Sequence, residues 1–348
     1  MLIRRRTLLA GLAAAPAAWA LPPAHLQFPA DHGAHPALRT EWWYITGFAE
    51  QGGRTFGFQV TFFRSRVAQT QQMQSHFAAK QLLFAHAAVS DLEGGRLLHD
   101  QRIARAGFGI AEAAQGEARL RLQDWSLLRE GDTWHAVVPA SGFALDLHCT
   151  ATQPVLLQGE QGLSRKGPLE QEASYYYSQP QLAVRGTLSL QGRPFTVAGK
   201  AWLDHEWSDE YLAPQAVGWD WLGMNLDDGS ALTAFRIRRA DGSTLWDGGS
   251  FRNAAGALRV ARPGETEFTP QRRWQSPLSG AHYPVEWALR TPAGRFTVRA
   301  LMDNQELDSR GSTGAIYWEG LSDLLDAQGR RVGRGYLEMT GYATRLRM

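Results

Sequence analysis

Four ionisable residues stand among tryptophans in GKAWLDHEWSDEYLAPQAVGWDWLGMNLDDG, which runs from Gly199 to Gly229. They are Asp204, His205, Glu206 and Asp220. A histidine in an apolar pocket can act as a general base on water, and a flanking carboxylate can tune its pKa. The alternative is a strand end with solvated carboxylates and one hydrogen-bonded histidine, because clustered ionisable residues mark sites only statistically.

The spacing of these residues divides them between two faces. If residues 201–207 form a strand, His205 and Trp207 share one face, and Asp204 and Glu206 share the other. An active site on one face of this strand would therefore use His205 and Trp207, and an active site on the other face would use Asp204 and Glu206.

Asp220 lies between Trp219 and Trp221, so alternation places the two indoles on one face and the carboxylate on the other. Aspartate is depleted in strands and costly to bury without a partner. In an apolar cavity its pKa would rise, which would make it a candidate proton donor. The alternative is an ion pair with an arginine of a neighbouring hairpin, namely Arg64, Arg236 or Arg238.

Two aromatic runs, EWWY from Glu41 and YYY from Tyr175, put polar-tipped rings on both faces of their strands. Such rings suit a pocket for a long apolar ligand, and their π faces can shelter a developing cation. They also suit the core of a β-barrel. The candidate substrate-binding residues are Glu41, Trp42, Trp43, Tyr44, Tyr175, Tyr176, Tyr177, Trp207, Trp219 and Trp221.

Motifs for other chemistries are missing from the sequence. No HExxH, CxxC or paired-histidine spacing predicts a metal, and His32 and His35 are interpreted as surface residues. No GxSxG, P-loop or GxGxxG is present, and Cys149 is the single cysteine. We therefore expect neither a metal nor an organic cofactor.

The elements that must position these residues are short alternating strands separated by Gly, Asp, Asn and Pro. They predict an all-β protein of antiparallel strands with little helix, with some helix at residues 71–85. Four hairpins are predicted by their turns: 42–48 with 55–63, 182–190 with 194–202, 219–226 with 231–237, and 285–289 with 295–301.

Two of these hairpins resemble each other, which indicates an internal duplication. Each begins with a tryptophan pair, crosses a glycine turn and ends on Phe-Arg, at Phe63-Arg64 and Phe235-Arg236. A chain of 348 residues also favours two domains. We place the boundary in residues 208–217, giving domains 21–208 and 209–348, with the polar segment 158–174 as the competing boundary.

Residues 1–20 combine a basic start, a short apolar run and the triplet Ala18-Trp19-Ala20, which predicts an export signal and a periplasmic or secreted protein. The twin-arginine pattern RRTLL at Arg5 and a plain secretory signal are both open. Without the signal's three arginines, 33 basic residues face 34 acidic ones, so no nucleic-acid partner is indicated. No later segment has the ~20 apolar residues of a spanning helix.

Three segments together resemble the carotenoid 1,2-hydratase (hydroxyneurosporene synthase) superfamily, and more closely its lipocalin-like AttH branch of predicted secreted hydrolases. They are EWWYITG, YYYSQPQLAVRGTL, and GKAWLDHEW followed by GWDWLGMNLDDG, within a similarity that runs from about Phe28 to the C-terminus. The resemblance implies two lipocalin-like β-barrel domains and no organic cofactor.

The resemblance also implies roles for individual residues. Water is added across an isoprenoid double bond by the hydratases, so Asp220 would donate the proton and His205 would orient the water. Trp207 and Trp219 would shelter the cation. A regular strand would turn Asp220 and Trp219 in opposite directions, so they would share a site only at a bulge, a strand end or a domain interface.

The leading hypothesis is an exported lipocalin-like protein that binds an isoprenoid or lipid ligand and hydrates or hydrolyses it. The alternative is a non-catalytic carrier of a lipid or amphiphile, accessory to an envelope ABC transporter. A third hypothesis is a glycan-binding module, because exposed tryptophan faces stack on sugars.

Overall fold

The computed structural model describes residues 20–346. The predicted export signal, residues 1–20, lies outside the described residues except for Ala20. Within the described range, no helix is long and apolar enough to cross a membrane.

The first part of the chain forms one antiparallel sheet, sheet A, which is nearly closed into a barrel. The hydrogen-bonded order of its strands is β4-β3-β2-β1-β13-β12-β9-β8-β7-β6-β5, and β10 and β11 both pair with β12. Its strands are β1 Thr40–Gln51, β2 Arg54–Arg66, β3 Gln81–Asp91, β4 Arg96–Arg105, β5 Ala111–Ala113, β6 Arg119–Leu122, β7 Trp125–Glu130, β8 Thr133–Ala140, β9 Phe143–Thr150, β10 Leu156–Leu157, β11 Leu163–Arg165, β12 Ala173–Leu190 and β13 Arg193–Glu210.

The rest of the chain forms a second antiparallel sheet, sheet B, in the order β17-β16-β15-β14-β25-β24-β22-β21-β18, with β23 beside β24. Strands β19 and β20 pair only with each other. The strands are β14 Ala216–Leu226, β15 Ala231–Arg239, β16 Thr244–Arg252, β17 Leu258–Val260, β18 Glu267–Pro270, β19 Arg273–Gln275, β20 His282–Pro284, β21 Glu286–Thr291, β22 Gly294–Ala300, β23 Glu306–Ser309, β24 Ala315–Leu325 and β25 Arg331–Met339.

The predicted all-β architecture of two lipocalin-like barrels is confirmed. All four predicted hairpins are present, as β1/β2, β12/β13, β14/β15 and β21/β22. The helix predicted at residues 71–85 is wrong, because β3 begins at Gln81. The helices of the described range are two single 3-10 turns, Ala30–His32 and Ala68–Thr70.

The chain crosses between the sheets over residues 211–215, after β13 ends at Glu210 and before β14 begins at Ala216. The first barrel encloses a core of its own, and so does the second. A third apolar cluster, which includes Tyr44, Trp202 and Leu321, joins the outer faces of the two barrels. The barrels therefore pack on each other through one wall of each.

The two barrels close in the same way, since the first strand of each pairs with its last: β1 with β13, and β14 with β25. Corresponding positions carry similar residues. Cross-strand ion pairs occupy one position in each first hairpin, Glu41 with Arg64 and Asp220 with Arg236.

One residue farther along the first strand of each barrel, a tryptophan lies opposite a glutamate of the last strand. Trp42 faces Glu206 across β1/β13, and Trp221 faces Glu338 across β14/β25. The registers thus agree with the duplication that the sequence indicates, and they place equivalent walls of the two barrels against each other.

Candidate functional site

A cavity of about 290 Å³ lies between the two barrels. Its walls are the outer faces of β1, β2, β3 and β13 on one side and of β14, β15, β24 and β25 on the other. Nine aromatic side chains line it: Trp42, Tyr44, Phe63, Phe84, Tyr211, Trp219, Trp221, Phe235 and Tyr317. Such walls favour an apolar ligand.

Asp204 lies in this cavity wall and is 3% exposed. Its carboxyl accepts hydrogen bonds from Ser178 Oγ at 2.5 Å, Tyr176 Oη at 2.6 Å and Trp202 Nε1 at 2.7 Å. Burial raises the pKa of Asp204 to about 7, although those three hydrogen bonds oppose the shift. Near neutral pH a large fraction of this carboxyl group therefore carries its proton.

Glu206 lies two residues farther along the same face of β13 and also lines the cavity. The ammonium of Lys166 lies 2.8 Å from Glu206 Oε1, and the hydroxyl of Ser174 donates to the same oxygen. Lys166 also packs over the Tyr176 ring at 4.6 Å. Lys166 thus compensates a negative charge on Glu206.

The second barrel contributes two more carboxyls to the cavity, Glu319 and Glu338. They stand directly opposite each other across β24/β25. Burial raises the pKa of both, that of Glu338 to about 8. Repulsion from Glu338 adds to the shift of Glu319, and repulsion from Asp204, Glu206 and Asp220 adds to the shift of Glu338. The cavity therefore contains carboxylic acids on both of its walls.

His86 borders the cavity near its β3 edge. Its Nδ1 lies 2.8 Å from the Tyr317 hydroxyl, and its Nε2 lies 2.8 Å from Ser312 Oγ. Burial lowers the pKa of His86 to about 3, so the imidazole is neutral at physiological pH. These contacts link the two barrels.

His205 lies on the opposite face of β13, inside the first barrel. Its ring stacks on Trp43 with centroids 4.5 Å apart and lies 4.6 Å from the Trp207 ring. The Tyr177 hydroxyl lies 3.2 Å from its Nδ1. Burial lowers the pKa of His205 to about 4 against the opposing influence of Glu41, so the ring is neutral. It does not line the cavity between the barrels.

The Glu41 carboxylate contacts three side chains inside the same barrel. Oε1 lies 2.7 Å from His35 Nδ1 and 2.9 Å from His205 Nε2, and Oε2 accepts from Arg64 Nε at 2.7 Å. Burial opposes ionisation, but the hydrogen bonds from His205 and His35 outweigh it and hold the pKa of Glu41 well below its usual range. His35, Glu41 and His205 are also one of two groups in the described residues whose ligand atoms lie close enough to hold a metal ion.

Asp220 points into the second barrel, away from the cavity between the barrels and from the cluster of His35, Glu41 and His205. It accepts a hydrogen bond from Arg236 Nε at 2.7 Å and from the Tyr342 hydroxyl at 2.9 Å, and it lies 3.1 Å from Arg238 Nε. This is the ion-pair alternative that the sequence left open. A proton-donor role for Asp220 beside His205 is not supported by this geometry, because regular alternation and the two arginines keep it in the other barrel.

The structure therefore divides the predicted site residues into three sets. The cavity wall contains Asp204, Glu206, Trp42, Tyr44, Trp219 and Trp221, with Tyr176 bonded to Asp204 behind it. The first barrel holds His205, Glu41, Trp43, Tyr177 and Trp207, with the half-buried Tyr175 ring 5.9 Å from Trp207. Asp220 alone lies in the second barrel. The solvated-carboxylate alternative for the DHEW segment is wrong, because Asp204 and Glu206 are 3% and 5% exposed.

Sequence reasoning missed Glu319, Glu338 and Lys166. A signal for the first two was present, since each is a lone carboxyl within an apolar strand, in IYWEGL and GYLEMT. The rule that drew attention to Asp220 applies equally to them. Lys166 lies in the irregular segment before β12, where no periodicity predicts which way a side chain points.

Two antiparallel barrels that share an aromatic, acid-bearing cavity define a two-domain lipocalin-like protein. More specifically, the chain belongs to the AttH-like family, whose model matches residues 19–342. The crystal structure of a putative AttH from Nitrosomonas europaea is 47% identical in sequence, with a TM-score of 0.87, and the match covers 93% of this chain and 99% of that chain.

More distant structures share the fold. Kievitone hydratase from Nectria haematococca is 16% identical with a TM-score of 0.70, and the match covers 92% of this chain and 93% of that one. CghA is 14% identical with a TM-score of 0.54, and the match covers 89% and 90%. The search of curated proteins found no match.

Proposed function

We propose that the cavity between the barrels binds an apolar isoprenoid or fatty-acyl ligand and adds water across a double bond of that ligand. The observation that carries this proposal is Asp204, a buried carboxylic acid with a pKa of about 7 inside an aromatic cavity. A group of this kind can deliver a proton to an alkene carbon near neutral pH.

In the proposed reaction, the Asp204 proton passes to one alkene carbon, whose new C–H bond uses the π electrons. The resulting carbocation lies against the faces of Trp219 and Trp221, which stabilise positive charge. Water then bonds to the cation while Glu206 accepts its proton. The proton left on Glu206 must return to Asp204 before the next turnover.

Two further observations support this proposal. Lys166 compensates the charge of Glu206, so an acid and a base stand two residues apart on one face of β13. The name of one structural neighbour, kievitone hydratase, denotes a hydratase, although at 16% identity that similarity concerns the fold. We also propose that the protein works outside the cytoplasm, following the export signal predicted at residues 1–20.

The test is incubation of the purified protein with acyclic isoprenoid alkenes in ¹⁸O-labelled water, followed by mass spectrometry of the products. We expect one labelled hydroxyl per turnover, and its loss in Asp204→Asn. Asp146→Asn on the outer face of β9 is the matched control, because it makes the same chemical change far from the cavity and should keep full activity. Full activity in Asp204→Asn would refute the assigned role.

The non-catalytic carrier predicts a different result in the same experiment. Native mass spectrometry would then show an apolar ligand that stays bound and unchanged, in the native chain and in Asp204→Asn alike. The accessory role beside an envelope ABC transporter is a proposal that depends on that outcome.

A further inference from the structure

The cluster His35, Glu41 and His205 lies inside the first barrel and has no part in the proposed hydration. The N-terminal segment reaches it through the 3-10 turn Ala30–His32, which brings His35 over the barrel opening. His35 then stacks flat on Trp207, with ring centroids 3.9 Å apart. The segment thus places an imidazole beside the buried His205 and Glu41.

Each imidazole contacts Asp31 through the nitrogen that points away from Glu41, and these contacts determine which nitrogen faces Glu41. His35 Nε2 lies 3.0 Å from the Asp31 carboxylate, and His205 Nδ1 lies 3.1 Å from the Asp31 carbonyl oxygen. Both of these partners accept hydrogen bonds, so an imidazole that holds a single proton can direct its N–H to Asp31. The remaining nitrogens, His35 Nδ1 and His205 Nε2, would then carry lone pairs.

Both of those nitrogens point at the same carboxylate oxygen, Glu41 Oε1, at 2.7 and 2.9 Å. Burial opposes protonation of His35, but its hydrogen bonds to Glu41 and Asp31 outweigh burial and raise its pKa, so in the metal-free protein a proton lies between His35 Nδ1 and Glu41 Oε1. A metal ion that binds here would displace that proton. The three ligand atoms lie within 4.8 Å of one another. Oε2 is already satisfied by Arg64, which holds the carboxylate in place.

We propose that His35 Nδ1, His205 Nε2 and Glu41 Oε1 bind a divalent transition-metal ion, with Zn²⁺ the best match to two imidazoles and one carboxylate. The Asp31 contacts supply the outer hydrogen bonds that orient metal-bound imidazoles. His35 is 22% exposed, so an ion can enter from solvent on that side. If the separations of the two imidazole nitrogens from Glu41 Oε1 widen by a few tenths of an ångström, all three atoms can lie at bonding distance from one ion placed between them.

The sequence did not predict this site, because His35 precedes His205 by most of the first domain and no short motif joins them. Bound metal would tie the N-terminal segment to β1 and β13. This role differs from the chemistry of the cavity between the barrels, since His205 and Asp204 lie on opposite faces of β13.

The test uses the full mature chain without a histidine tag, titrated with Zn²⁺ against a chromophoric indicator and separately with Co²⁺ while its visible absorption is recorded. We expect one equivalent to bind. His35→Ala should weaken binding by roughly 100-fold, and Asp31→Ala by roughly 10-fold or more, because it removes only an outer hydrogen bond. Both changes lie in the partly exposed N-terminal segment, and circular dichroism checks that the sheets persist.

The matched control removes the other candidate cluster of the described residues, the exposed group His135, Asp146 and His148 on β8 and β9. The double variant His135→Ala/His148→Ala should keep the tight site. The proposal is overturned if the native chain binds no equivalent of Zn²⁺, if His35→Ala keeps it, or if the double variant loses it.

Discussion

Replacing Asp204 by asparagine should stabilise the protein at alkaline pH while abolishing the proposed activity. The folded state holds the Asp204 proton to a pKa of about 7, whereas the unfolded chain releases it near the ordinary value of 3.8. Between these values the folded state binds one more proton than the unfolded state, so stability falls as the pH rises through this window.

The size of the effect follows from the shift. About three pKa units at 1.36 kcal/mol each correspond to about 4 kcal/mol of folding free energy, present below about pH 4 and lost above about pH 7. Asparagine cannot ionise, and its carbonyl oxygen can still accept from Ser178 and Trp202. Relative to the native chain, Asp204→Asn should therefore gain about 4 kcal/mol between pH 4 and pH 8.

The assay is urea unfolding of the native chain and of Asp204→Asn across this pH range, with tryptophan fluorescence as the signal that monitors unfolding. The difference between the two proteins reports the titration of residue 204 together with its effect on Glu338, because the remaining titrating groups are common to both. Asp146→Asn, at an exposed position, should show no comparable pH dependence. A difference between native and Asp204→Asn that stays constant from pH 4 to pH 8 would refute the buried-acid interpretation and the catalytic proposal built on it.

Three other outcomes follow from the same geometry. The activity should decline as the pH rises above about 7, because Asp204 then loses the proton that it must donate; a pH profile of kcat/KM measures this, and an increase up to pH 9 would contradict it. Asp220→Ala should cost about 3–5 kcal/mol in urea unfolding, since it leaves Arg236 and its neighbour buried without a counter-charge, and a loss below 1 kcal/mol would show that the pair is not buried as described. Trp221→Phe removes the indole N–H that donates to the Tyr176 hydroxyl at 3.1 Å, so it should cost about 1 kcal/mol in unfolding and weaken ligand binding in fluorescence titration; unchanged affinity would exclude the indole from the ligand wall.

Strand alternation predicted the most useful fact about the site. It separated Asp204 and Glu206 from His205 and Trp207, and the structure places the two pairs on opposite sides of β13. The hairpins were predictable for the same reason, because period-two patterns and turn residues are local signals.

The sequence could not tell which face of β13 meets the other barrel. That choice depends on packing between strands far apart in the chain, such as β1 against β25 and β2 against β24. Glu319 and Glu338 therefore join Asp204 only through tertiary structure. The meeting of His35 with His205 is unpredictable for a related reason, since the N-terminal segment before β1 has no periodicity that fixes its path.

The position of the cavity outside both barrels has a consequence for how the protein can be divided. A lipocalin-like barrel that held its ligand in its own interior would keep that ligand space if separated from its neighbour. Here the interiors are filled by side chains, and each barrel supplies only one wall. Apart, either barrel would expose its carboxyls to bulk water, where they would ionise like ordinary surface acids. The proton-donating environment therefore belongs to neither domain and exists only while the two remain docked.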